Sequence, residues 1–332
     1  MYIASGALAL FTVFVLLDTF AIARVQQTAI AADYSSITNS QSSGESSASS
    51  AQGSTGSRSK SKHGSKPSSS SSDKPSSASS MEADTALSVS DESQLGSYAD
   101  ENMQITVKKM RAYNTDVYVA DITVTSAEYL KTALAQNSFG RNLKDTTSNM
   151  AEQSGAVLAI NGDYYGFRDY GYVVRNGVLY RDTAASATDA LVVYGDGAMD
   201  AVSQDEVSAQ QLKERGAWQV LSFGPTLVDD GNIVVDANEE VGQSKDSNPR
   251  TAIGMISPLH YVVVVSDGRT SDNEGLSLYG LAQVLVDNGA TFAYNLDGGG
   301  STTLYFNGEV LNNPTSGNRS GERQVSDIVY FG

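Results

Sequence analysis

Residues 292–311 read FAYNLDGGGSTTLYFNGEVL. An apolar strand, Phe292–Leu296, ends in a carboxylate at Asp297 and passes through Gly298, Gly299 and Gly300. A second apolar arm starts at once and folds back at Asn307-Gly308. An Asn-Gly step between apolar arms is the signature of a two-residue hairpin, because both central positions need φ > 0. No helix follows the glycines, which excludes a dinucleotide-binding fingerprint. No Gly-Lys-Ser/Thr follows either, which excludes a Walker loop. The stretch is therefore strand, corner, strand, turn, strand.

The same grammar recurs upstream. VVRNGVLY turns at Asn176-Gly177, LVVYGDGAMDAV at Asp196-Gly197, and TLVDDGNIVV at Asp230-Gly231. Alternation of apolar and polar residues predicts strands at Met103–Met110 and Asp116–Thr125, and apolar runs predict strands at Val157–Asn161, Thr251–Ile256, His260–Ser266 and Val325–Phe331. Helical spacing predicts helices over Ser126–Ala135, Lys144–Gln153 and Ser277–Asn288, the last closed by Gly289. Many hairpins with few helices predict an α+β fold: mixed, mainly antiparallel sheet with many hairpins and a few packed helices. The regular strand–helix alternation of a doubly wound fold is absent.

Composition narrows the chemistry. The 332 residues carry 22 Lys and Arg against 38 Asp and Glu, a net charge of −16, which repels nucleic acid. There is no cysteine, so disulfide frameworks, thiol catalysis and Cys-ligated metals are excluded. Two histidines, His63 and His260, cannot build a multi-His metal centre. Tyrosine (17) far outnumbers tryptophan (1), a bias that strands and sugar-binding surfaces share.

Three zones follow one another. Ile3 to Ala23 is apolar apart from Asp18 and long enough to span a bilayer. It reads as a retained signal anchor or as a signal peptide cleaved near Ala21-Ile22-Ala23, so residues 1–34 are assigned to export and membrane attachment. Residues 35–80 are close to half serine and hold almost no apolar surface, which predicts a disordered linker. Residues 81–332 carry nearly all the acidity and enough apolar sequence for one sizeable core. The expected location is extracytoplasmic, anchored or secreted.

Three signals could carry chemistry. The first is the glycine corner after Asp297, with Gly298, Gly299, Gly300 and Ser301. Successive glycines cost strand stability but let backbone amides approach an anion. The second is AINGDYYG, residues 159–166, where Asn161 and Asp163 end a strand beside glycine. Two carboxylates, Asp163 and Asp297, across a cleft would suit acid–base work on a glycosidic bond, although each alone also reads as a turn former. The third is arginine placement: Arg250, Arg269 and Arg323 lie beside strand ends, where their forks could hold phosphate or form surface ion pairs. The acidic turn Asp267, Asp272, Glu274 could take a divalent cation such as calcium, but its spacing fits no EF-hand loop. No other cofactor is implied.

Taken in order, AINGDYYG (159–166), RTAIGM (250–255), GLSLYGLAQVL (275–285), NLDGGGSTTLYFNG (295–308) and ERQVSDIVYF (322–331) resemble the phosphodiester glycosidase family over about residues 151–332. The family often has a second Gly and Phe residues where Asp163, Tyr164 and Tyr165 stand, and Glu where Gly280 stands. The resemblance implies hydrolysis of a sugar-1-phosphodiester, in exopolysaccharide or cell-envelope material. On that reading Asp297 and Asp163 are catalytic. Asn161, Asp267, Arg269 and Ser301 bind substrate, and Arg250, Arg323 and the amides of Gly298–Gly300 stabilise the departing phosphate. The alternative is a non-catalytic polysaccharide-binding or scaffolding module with the same cleft.

Overall fold

The computed structural model describes residue 12 and residues 22–38, 90–236, 247–317 and 319–332. Every strand ladder among them is antiparallel. All four predicted turns join adjacent strands, with Asn176 and Gly177, Asp230 and Gly231, and Asn307 and Gly308 all at positive φ.

The largest sheet has eight strands. In spatial order they are Asn232–Ile233, Thr226–Asp229, Phe292–Asn295, Arg250–Ser257, His260–Ser266, Thr115–Val124, Met103–Ala112 and Ser90–Ala99. Its centre is buried on both faces, which explains the unbroken run His260-Tyr-Val-Val-Val-Val-Ser266. Val263 and Val265 enter one core, whereas Val262 and Val264 meet the helix Leu278–Asp287 on the opposite face. That helix is capped by the Ser277 side chain, which accepts from the Gly280 amide, and Gly289 follows its end at φ 86.

A second sheet is ordered Met199–Ser203, Asp189–Tyr194, Ala217–Leu221, Val173–Arg175, Val178–Arg181. A short helix, Ala209–Glu214, covers its outer face with Leu212. A third runs Glu309–Val310, Leu304–Phe306, Leu158–Asn161, Asp327–Phe331, Leu130–Leu134, backed by the helix Thr147–Ser154. The main core lies where the three sheets face one another: Ile105, Ile122 and Val263 from the first, Leu191 and Leu221 from the second, Ile160, Leu304 and Phe331 from the third.

Two expectations change. Residues Ser126–Ala135 are not one helix: a 3₁₀ turn at Ala127–Tyr129 leads into the strand Leu130–Leu134. Leu130, Thr132 and Leu134 alternate inward there against the last strand, Asp327–Phe331. The fold also begins earlier than residue 81. Arg24–Thr28 pairs with Ser138–Arg141, residues 34–38 are helical, and Ile37 is buried. The Tyr34 hydroxyl donates to the Gly195 carbonyl, and its ring meets Trp218 edge-on at 5.0 Å. The rest of the predicted linker, residues 39–80, lies outside the described residues. So does the apolar run Ile3–Ala23, apart from Thr12, Ile22 and Ala23. Among the described residues no helix is long and apolar enough to cross a membrane.

Candidate active site

Strand ends from two sheets meet along one seam. Phe292–Asn295 of the large sheet delivers Leu296 and Asp297, and Leu158–Asn161 of the third sheet delivers Asn161 and Gly162. The Asp297 amide donates to the Gly162 carbonyl at 3.3 Å, and the Asn161 side-chain amide donates to the Asp297 carbonyl at 2.5 Å. The Asn161 side-chain oxygen accepts from the Thr251 hydroxyl at 2.9 Å and from the Thr303 amide at 3.3 Å. Asn161 is fully buried, so it fixes the backbone under Asp297 and does not reach a ligand.

Above the seam lies a cleft with two lobes. One, of about 320 Å³, is lined by Tyr164, Phe167, Lys144, Gln324 and Val325 among others. The other, of about 520 Å³, is lined by Phe223, Asn248, Arg250, Arg269 and Gly298–Gly300. Tyr164, Asp297 and Arg323 line both. Tyr164 and Phe167 stack at 4.6 Å between centroids, the flat apolar wall that sugar faces favour.

Among the described residues Asp297 is the one carboxylate lining either lobe. Its Oδ2 accepts from the Ser301 hydroxyl at 2.6 Å and from Arg323 Nη2 at 3.1 Å, and Arg323 Nε donates in turn to Ser301 Oγ at 3.0 Å. Burial raises the Asp297 pKa; Arg323, Ser301 and the Gly298 amide pull against it without cancelling the rise. A desolvated carboxylate held beside a half-exposed guanidinium is suited to gaining a proton or attacking an electrophile.

The second lobe is cationic. Arg250 is buried, and its pKa falls to about 10 because burial and the neighbouring Arg269 both disfavour its charge. It remains a cation at neutral pH, and an anion in this lobe would relieve both penalties. Arg269 reaches over the glycine corner, its Nε and Nη2 donating to Asn248 Oδ1 at 3.1 and 2.9 Å.

The glycines serve this packing more than they cradle an anion. Gly299 stands at φ 59, and a Cβ there would lie 2.9 Å from Arg269 Nη2. A Cβ at Gly298 would lie 2.8 Å from the Pro249 carbonyl oxygen. The Gly299 amide is already committed to the Pro249 carbonyl at 2.8 Å, and the Gly298 amide is turned to the Asp297 carboxylate. The expectation that these two amides hold phosphate is therefore corrected: both are committed within the chain, and the corner lets the arginines close in.

A phosphodiester glycosidase family model matches residues 154–332, which span the seam, both lobes and the arginines. The chain belongs to the phosphodiester glycosidase family. Among curated proteins it is similar to the SPβ prophage-derived protein YomE of Bacillus subtilis strain 168, at 32% identity over 198 residues, covering 58% of this chain and 30% of that protein. It is similar to mouse N-acetylglucosamine-1-phosphodiester alpha-N-acetylglucosaminidase at 27% over 202 residues, covering 55% of this chain and 39% of the relative. The chain thus spans about a third of the length of these curated relatives. The catalytic domain of the zebrafish N-acetylglucosamine-1-phosphodiester alpha-N-acetylglucosaminidase resembles it in fold, with a TM-score of 0.54 over 73% of this chain and 87% of that one, at 18% identity.

Within this phosphodiester glycosidase domain the remaining expected site residues divide. Asp163 is fully buried and does not line the cleft. Its carboxylate accepts from the Tyr165 amide at 3.1 Å and the Ser222 amide at 2.7 Å and pairs with Arg175 at 3.0 Å. Arg175 also pairs with Asp327 at 2.8 Å, so one buried cation serves two buried carboxylates. Asp327, wholly buried, has its pKa raised by desolvation. This triad packs directly beneath Gly162, where any side chain would run into the Asp327 carboxylate. Asp163 is a structural anchor of the seam, because its carboxylate is buried against Arg175 and does not line the cleft.

Asp267 is likewise interior. Its oxygens accept from the Asn313 amide at 2.7 Å and the Tyr118 hydroxyl at 3.3 Å, and burial raises its pKa. It braces the loop that presents Arg269 and does not line the cleft. Among the described residues no group of three or more His, Cys, Asp or Glu side chains gathers to hold a metal, the Asp267–Glu274 turn included. Lys144, Tyr164, Phe167, Phe223, Asn248 and Gln324 line the cleft with no local pattern to mark them. The one available signal is the 164–165 Tyr pair beside the glycine-flanked strand end.

Proposed function

We propose that this protein is an exported hydrolase that cleaves a sugar-1-phosphodiester at the anomeric C–O bond, in cell-envelope or exopolysaccharide material. The observation that carries the reading is the position of Asp297, beside Arg323 and Ser301, at the junction of an aromatic lobe and an arginine lobe. The sugar stacks on Tyr164 and Phe167, and the phosphate lies among Arg250, Arg269 and Arg323. The bond between C1 and the ester oxygen breaks, and the phosphate leaves with the electron pair as a phosphomonoester. Because phosphate is a good leaving group, a second carboxylic acid is not required, which agrees with the single carboxylate that lines the cleft among the described residues. Guanidinium groups meet the charge that builds on the phosphate, and Asp297 meets the positive charge at C1. Water adds its hydroxyl to C1. Its proton goes to Asp297, or Asp297 first forms an ester with C1 that water then opens; the anomer released first tells these apart.

The apolar run Ile3–Ala23 holds the chain at the extracytoplasmic face of a membrane. The names of the relatives suggest an α-linked N-acetylglucosaminyl phosphate diester as the first probe. The full chain, incubated with a panel of sugar-1-phosphodiesters starting there, is expected to release free sugar and phosphomonoester in equal amounts. Binding without release of either product would replace the enzyme with a polysaccharide-binding module.

A further inference from the structure

The Ser-rich stretch does not separate the apolar run from the cleft. Residues 22–38 are already part of the domain. The Ile22 carbonyl accepts from Asn142 Nδ2 at 2.9 Å, and the strand Arg24–Thr28 is in register with Ser138–Arg141. Glycines are placed for this contact: a side chain at Gly140 would strike the Arg24 carbonyl, and one at Gly177 would lie 2.9 Å from Ala32. In sequence, the next described element is the strand Ser90–Ala99 of the large sheet. Residues 22–38 and the chain from Ser90 onward thus belong to one domain.

The point of attachment is beside the cleft. The Asn142 amide donates to the Gly166 carbonyl at 3.1 Å, and Gly166 belongs to the turn Tyr165–Phe167. Lys144, two residues on, lines the aromatic lobe. Tyrosine and arginine gather around this point. Arg24 faces Arg141 across the strand pair, and Arg168 lies over the rings of Tyr164 and Tyr170, both exposed, at 5.9 and 5.8 Å. Arg141 pairs with Asp169 on the same rim. Tyrosines interleaved with arginines next to an apolar run are the composition of a membrane–water interface.

We infer that the cleft is held against the membrane surface and that its substrate is a membrane-borne sugar-1-phosphodiester whose second alcohol is a lipid chain. The inference rests on the proposed hydrolase activity and names the substrate class of that site. Magnitudes support it. A flexible tether of about 50 residues would let the domain range over about 40 Å. Ile22 and Ala23, the last two residues of the apolar run, span at most about 7 Å to Arg24. At that distance a lipid-linked ester meets the site at the raised effective concentration of a tethered reaction, and a soluble ester gains nothing.

The full chain, reconstituted in phosphatidylcholine–phosphatidylglycerol vesicles, is compared with a variant carrying a 30-residue Gly-Ser spacer between Ala21 and Ile22. The probes are the methyl and the C20-prenyl diesters of α-N-acetylglucosaminyl phosphate. The expected result is that the spacer slows prenyl-diester cleavage by about tenfold or more and leaves methyl-diester cleavage unchanged. Equal prenyl rates with and without the spacer, or a chain recovered from membranes already cut before Arg24, would overturn the membrane-facing site while the hydrolase reading stands. Loss of both activities in the parent chain would overturn the hydrolase reading and this inference with it.

Discussion

Arg323 meets Asp297 through one carboxylate oxygen: Nη2 lies 3.1 Å from Oδ2, and Ser301 Oγ fills the angle between them, donating to Oδ2 and accepting from Arg323 Nε. The pair lies where the two lobes join, with the carboxylate largely buried and the guanidinium 42% exposed. A carboxylate so placed is aimed by its neighbours and keeps its reactivity because burial outweighs their stabilisation of its charge.

Asp297→Asn keeps the shape and the contact with Ser301 but removes the negative charge. Turnover of a sugar-1-phosphodiester is expected to fall by about 10³-fold with the circular dichroism spectrum and melting temperature unchanged. A variant that turns over at the parent rate would remove Asp297 from the chemistry.

The pH profile carries a sign. In the proposed mechanism Asp297 reacts as the carboxylate, and burial raises its pKa above the ordinary carboxylate range. Activity is therefore expected to fall with acidification at a higher pH than an exposed aspartate would give. Arg323→Gln removes a charge that favours the ionised form, so the acidic limb should move to still higher pH. It should also weaken phosphodiester substrates far more than neutral aryl glycosides, because only the former carry the anion. A limb that stays in place or moves downward would separate Arg323 from Asp297.

Arg175→Met tests the buried triad. It leaves Asp163 and Asp327 next to each other without their cation, and loss of one partner of a buried ion group costs about 3–5 kcal/mol. A clear fall in the chemical denaturation midpoint is expected. Asp163→Asn, measured on the folded fraction, should retain far more activity than Asp297→Asn. Equal loss of kcat in both would return Asp163 to the catalytic set.

Ile37→Ala asks whether the N-terminal segment shares the cooperative unit. Ile37 is 5% exposed and lies under Gly177 and near Trp218. Truncating it in the core is expected to cost about 2 kcal/mol or more. A change near zero would mean that residues 22–38 are independent of the domain, as the composition of the following stretch suggested.

Local chemistry made much of the fold legible. The four turn dipeptides specify backbone conformations that few other residues adopt, so the hairpins at 176, 196, 230 and 307 could be read from them alone. The helix Leu278–Asp287 announced itself by its apolar spacing and closing Gly289. The stretch Ser126–Ala135 was misread because Leu130 and Leu134 stand four apart, a spacing compatible with a helix. Its fate was settled by the last strand of the chain, Asp327–Phe331, about 200 residues away. The docked segment 22–38 was hidden for a related reason: between an apolar run and a serine tract, it has too few apolar residues to predict packing without its partner surface.

At the site, the sequence by itself determined which residues were chemically able: a carboxylate before a glycine corner, arginines at strand ends, and the motifs of one family. Tertiary structure alone decided their roles, because the two candidate aspartates differ only in surroundings. Asp297 ends a strand at an open seam, whereas Asp163 turns inward onto Arg175, and the 136-residue separation of Asn161 from Asp297 closes through a hydrogen bond no local pattern encodes. Reactivity depends on solvent, charge and reach, and these are set by which chain segments pack together.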